Sequence, residues 1–137
     1  MALAVVPLGV VWLPAAVAAS VLAAAVTAVA WSRRDRLAVA VFVVVNATAE
    51  EVAYRVVAFD AARRSVGPWL AVVVQAATFG TLHVAGFPAG LAGIGLTFLY
   101  GLALGAIRLL TGGLRLAIGV HMLADATVAA LVLTVLR

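Results

Sequence analysis

Charged residues are sparse in this sequence, and the stretches between them are long and apolar enough to cross a bilayer. A hydrocarbon core about 30 Å thick needs about 20 apolar residues in helix. Five segments meet that length: about Leu3 to Trp31, Leu37 to Ala62, Gly67 to Ala85, Pro88 to Leu110 and Leu114 to Leu136. Pro7 and Pro14 predict kinks in the first. The cluster Arg33-Arg34-Asp35-Arg36 ends it, and Arg63-Arg64 ends the second. Gly67-Pro68 is a helix start, Gly86-Phe87-Pro88 a short turn, and Thr111-Gly112-Gly113 a break. The fold class read from this pattern is all-α, a polytopic transmembrane bundle of about five membrane-spanning helices.

Composition agrees. Of 137 residues, 67% are hydrophobic and only 10% are charged, against roughly 45–50% and about 25% in soluble domains. The length allows one bundle, divided here into an N-terminal transmembrane helix with its basic loop (1–36) and the remaining helices (37–137). The absence of cysteine excludes disulfides and thiolate metal sites. The net charge of +4 comes from arginine alone. Most of these arginines sit at segment ends, where they anchor helices to headgroups, so the basic balance points to the lipid bilayer and not to nucleic acid. Arginine counts on the two sides tie. The dense first cluster favours an N-terminus outside, because early segments usually dominate orientation. Gly101 and Gly105 form a G-x-x-x-G pair suited to close helix approach. Asn46-Ala47-Thr48 fits a glycosylation sequon but lies mid-segment, which gives it little weight.

Sixteen residues are ionisable, and ten of them lie at or near segment ends. The other six are Glu50, Glu51, Arg55, His83, His121 and Asp125. An Asp or Arg at a helix centre costs roughly 2.5–3.5 kcal/mol on insertion scales, so these six must face the bundle interior and one another. Glu51 and Arg55 are four apart with the acid first, the favourable order for a helical ion pair. That pairing leaves Glu50 about 100° around the helix, free for another task. His121 and Asp125 share the same spacing, as do Phe79 and His83. At a rise of about 1.5 Å per residue, Glu50 and His121 reach a similar depth, with Asp125 and His83 nearer the first-loop side. Each feature alone has a plain structural reading, as an ion pair or an interhelical hydrogen bond. Together, a carboxylate and two histidines away from bulk water can activate a water and stabilise an oxyanion, or bind a metal.

Three short motifs carry a resemblance. Glu50-Glu51-Val52-Ala53-Tyr54-Arg55 fits E-E-x-x-x-R, Phe79 to His83 fits F-x-x-x-H, and His121 to Asp125 fits H-x-x-x-N/D. In this order on successive apolar helices, they resemble the CPBP family of intramembrane proteases, which includes the Rce1-type CAAX prenyl endopeptidases and the bacterial Abi proteins. The resemblance covers about Ala40 to the C-terminus and marks 37–137 as the catalytic bundle. It implies an endopeptidase acting on membrane-embedded or lipidated peptide substrates, prenylated CAAX-type ones among them, in an integral, multi-pass protein of a bacterial plasma membrane. It implies that Glu50 and His83 polarise a water, that Glu51 and Arg55 orient the site, and that His121 and Asp125 stabilise the oxyanion. The last position is often Asn in the family, and Asp125 donates a hydrogen bond only when protonated. The Gly often found after the Arg is Val56 here.

The glutamate-water chemistry requires no cofactor. A divalent metal such as zinc on Glu50, His83 and His121 is the open alternative, although H-E-x-x-H is absent. Competing functions are a non-catalytic membrane scaffold or bacteriocin-immunity-type protein that keeps the cluster for packing, and an ion or proton pathway. The pathway ranks low because the segments show no inverted repeat.

Overall fold

The computed structural model describes residues 31–135 and four isolated positions before them, 18, 19, 22 and 25. The first expected segment, with Pro7 and Pro14, lies outside the described residues except for those four positions and Trp31. Every element described is helical. Helix α1 (Arg33–Glu51) runs directly into a π-helical segment (Val52–Ala58) and then α2 (Phe59–Val66). Helices α3 (Pro68–Leu82), α4 (Gly90–Thr111) and α5 (Arg115–Val135) follow.

Helix ends follow local chemistry. The arginine cluster expected as a loop forms the first turn of α1 instead. Ser32 caps it: its hydroxyl accepts from Asp35 N–H at 3.1 Å, and the Asp35 carboxylate accepts from Ser32 N–H at 3.2 Å. This reciprocal capping box satisfies two otherwise orphaned donors. The reversal between α2 and α3 uses Gly67 at φ 81°, with Pro68 opening α3 as expected. Gly112, left-handed at φ 68°, closes α4.

Burial is inverted relative to a soluble protein. Glu51, Arg55 and Gln75 are fully buried and His121 nearly so, while Leu37, Val41, Trp69, Leu91, Leu99 and Leu110 lie exposed. Apolar side chains turned outward and ionisable ones turned inward suit a hydrocarbon solvent. Among the described residues, three helical stretches are long and apolar enough to cross a membrane: Arg33–Val66, Gly90–Thr111 and Arg115–Thr134. The chain is an integral membrane protein. The expected third span is an apolar helix of 15 residues, roughly 22 Å long and short of the hydrocarbon thickness. The first continuous stretch has 34 residues, roughly 50 Å, and overshoots it.

Helices α3 and α4 make the closest approach, through glycine. A Cβ on Gly80 would stand 2.9 Å from the Ile94 carbonyl, and one on Gly101 would stand 3.1 Å from Phe79 Cδ1. One on Gly105 would overlap the Gln75 amide. That amide donates to the carbonyls of Val72 and Gly101, each at 2.8 Å, and so joins the two helices. Gly105→Val is therefore expected to evict it and cost about 1–3 kcal/mol by overpacking. A lower thermal unfolding midpoint in detergent would register this. Gly119→Ala, which meets nothing within 4 Å, should leave the midpoint unchanged or raised.

Candidate active site

The E-E-x-x-x-R stretch lies where α1 changes pitch. Glu51, Arg55 and Phe59 are spaced by four, and none is more than 1% exposed. A continuous α-helix would turn Phe59 about 80° away from Glu51. The wider π turn keeps all three on the buried side. It also loosens the backbone ladder, and Arg108 of α4 fills in there. Arg108 Nε donates to the Arg55 carbonyl at 3.2 Å, its Nη1 donates to the Gly112 carbonyl at 2.6 Å, and its Nη2 lies 3.7 Å from Asp60 Oδ2. Arg108 thus ties α4 to the π segment, where the sequence placed it among headgroup anchors.

Glu51 is the hub of the buried charges. Its Oε2 lies 3.3 Å from Arg55 Nε, and its Oε1 lies 2.8 Å from His121 Nδ1. The Arg55 contact is an ion pair without hydrogen-bond alignment. The guanidinium stacks instead on Phe79, with Cζ 4.5 Å from the ring centroid. A carboxylate accepts, so His121 Nδ1 carries a proton and its Nε2 faces the other way. Nε2 is 3.4 Å from Glu50 Oε2 and 3.6 Å from Asp125 Oδ1.

His83 comes from the C-cap of α3 and not from its interior. Its Nδ1 lies 2.7 Å from the Phe79 carbonyl oxygen, so Nδ1–H donates, and its ring meets the Phe79 ring edge-on. The F-x-x-x-H spacing thereby anchors the ring at both its nitrogen and its face. Nε2 is left 4.0 Å from Glu50 Oε2. That oxygen is buried and has no hydrogen-bond partner.

All six residues expected from the sequence therefore come together. Glu50, His83, His121 and Asp125 line a pocket of about 290 Å³, with Glu51 and Arg55 buried behind it. Three polar lining residues escaped the sequence reading. Asn46 donates from Nδ2 to Asp125 Oδ2 at 3.1 Å. It stands one turn before Glu50, a spacing that could have found it. Tyr100 donates to the Val120 carbonyl at 3.0 Å and packs edge-on to His121. Thr97 lines the wall beside it. Among the described residues, no three His, Asp or Glu side chains are grouped to hold one metal ion. An adjoining apolar groove of about 360 Å³ runs between α1 and α5, and it shares Phe42 and Val128 with the polar pocket.

Removing Arg55 would leave Glu51 buried without its cation. Loss of one partner of a buried pair costs about 3–5 kcal/mol. Arg55→Ala should show this as a large fall in unfolding midpoint in detergent. Glu51→Gln in the same background should recover part of it, because it removes the stranded charge.

Residues 32–127 match the family model described as type II CAAX prenyl endopeptidase Rce1-like. No curated protein and no solved structure matches the chain. The matched span contains all three motifs, and it bears out the resemblance drawn from them.

Proposed function

Because the chain belongs to the Rce1-like family of type II CAAX prenyl endopeptidases, we propose that it is an intramembrane endopeptidase acting on lipidated, membrane-associated peptides. One observation carries this reading. Glu50 Oε2, buried and without a hydrogen bond among the described residues, faces His83 Nε2 across 4.0 Å inside a pocket far larger than one water. With Nδ1 protonated, neutral His83 presents a lone pair at Nε2, so both groups are acceptors. A water between them donates one hydrogen to each at ordinary hydrogen-bond length. Its oxygen is thereby polarised toward a carbonyl.

Attack transfers one water proton to Glu50 and the carbonyl π electrons to oxygen. With Nδ1–H held by Glu51, an N–H at His121 Nε2 donates to the oxyanion, and Asp125 Oδ1 faces that nitrogen from 3.6 Å. Collapse breaks the C–N bond, and Glu50 returns its proton to the leaving amine. Each of these steps is carried by the chain's own side chains and the water. The apolar groove, lined by Ala38, Val39, Val132 and Leu133 and by the shared Phe42 and Val128, offers a hydrocarbon chain a place beside the scissile bond.

The test is hydrolysis of an internally quenched farnesylated CAAX peptide by purified protein in nanodiscs. Glu50→Gln, which keeps shape and removes the base, should lower kcat by at least about 10²-fold. A rate equal to wild type would sink the assignment. EDTA treatment followed by desalting should leave the rate within twofold, roughly, of the untreated enzyme. A loss restored by added zinc would instead favour the metal-dependent alternative.

A further inference from the structure

Asp125 is poorly suited to the oxyanion role that its motif position suggests. Its Oδ2 already accepts from Asn46 Nδ2 at 3.1 Å, and its Oδ1 faces His121 Nε2 at 3.6 Å. A carboxylate that accepts from an amide on one oxygen and faces an imidazole nitrogen with the other is placed as an acceptor, and its charge opposes a developing oxyanion. The amide that holds it is a donor. The Asn46 side chain carries two N–H groups, and among the described residues its hydrogen bond goes to Asp125. Asn46 stands one turn before Glu50 on the same face of α1. It lines the same pocket as Glu50, His83 and His121, and it is half-buried. The helix supplies the base and the amide from a single rigid element, and Asp125 fixes the amide's rotation.

We propose that Asn46 is a catalytic residue whose second Nδ2–H joins His121 Nε2–H in binding the oxyanion, with Asp125 as the positioning residue for both. This rests on the endopeptidase reading above. The hydrogen-bond count is consistent: in the tetrahedral state the former carbonyl oxygen accepts from two N–H donors, and both protons stay on nitrogen throughout. Asn46 is thus absorbed into the site, where the sequence offered it only as a mid-segment sequon.

The experiment uses the full chain in nanodiscs and the farnesylated quenched peptide, with four variants beside wild type. Asn46→Ala should lower kcat by about 10²-fold, the usual effect of losing one oxyanion donor, with KM changed less than about threefold. Asn46→Asp, nearly isosteric, should also lower it, and it serves as the reporter if the alanine variant does not fold. Asn46→Ala with Asp125→Asn should regain at least about tenfold in kcat, because an amide at 125 is itself a donor. A purely structural Asn46–Asp125 bond predicts no such rescue, since the bond stays broken. Asn46→Ala within threefold of wild-type kcat, a loss seen in KM alone, or absence of rescue would each overturn the assignment. The fourth variant, Glu50→Ala, separates the two levels. If it is inactive while Asn46→Ala is active, the Asn46 role alone falls. If it is as active as wild type, or if wild type does not cleave, the endopeptidase reading and the Asn46 role fall together.

Discussion

A single buried carboxylate, that of Glu51, organises this protein. A charge removed from water must be compensated, and Glu51 has an ion-pair partner at Oε2 and a hydrogen-bond partner at Oε1. Arg55 answers Oε2 from the next turn, and His121 answers Oε1 from α5. Arg55 in turn stacks on Phe79 of α3, whose ring also meets His83 and His121. Three helices are thereby referred to one carboxylate. Glu50, its neighbour in sequence, points the other way, into the pocket, where its side chain is 24% exposed. Adjacent acids about 100° apart on a helix can serve unlike purposes, one as structure and one as chemistry.

The bilayer explains why so small a chain can hold such a site. With lipid outside, apolar side chains need no interior of their own, and the interior is left to polar groups and glycine contacts. Gln75 shows the consequence. It is fully buried and joins α3 to α4 through two carbonyls, at a seam where Gly101 and Gly105 clear space for it. The same seam fixes Phe79, and through it the positions of His83 and Arg55.

Much of this was legible in the sequence, because spacing on a helix is geometry. The Glu51–Arg55 pair, the freedom of Glu50 and the approach of His83, His121 and Asp125 to it follow from i,i+4 periodicity and apolar run length. The remainder depends on backbone departures and on contacts between distant residues. No local pattern announces a π turn, so the alignment of Phe59 with Glu51 and Arg55 could not be foreseen. Arg108 read as a headgroup anchor because its partner, the Arg55 carbonyl, is exposed to it only by that turn. Asn46 was visible four residues before Glu50, but its partner lies 79 positions away. His83 was placed inside a span, whereas α3 ends at Leu82 and gives the ring a cap position.

The bond between Glu51 and His121 ties α5 to α1 at the site, and the protonation of the ring reports it directly. With two histidines in the chain, ¹⁵N-histidine labelling in nanodiscs resolves both rings, and a His83→Gln sample assigns them. His121 Nδ1 is expected to carry a proton in wild type, and its resonance to shift when Glu51 is replaced by Gln. A His121 ring with Nδ1 bare, or one whose spectrum ignores the change at Glu51, would contradict that bond.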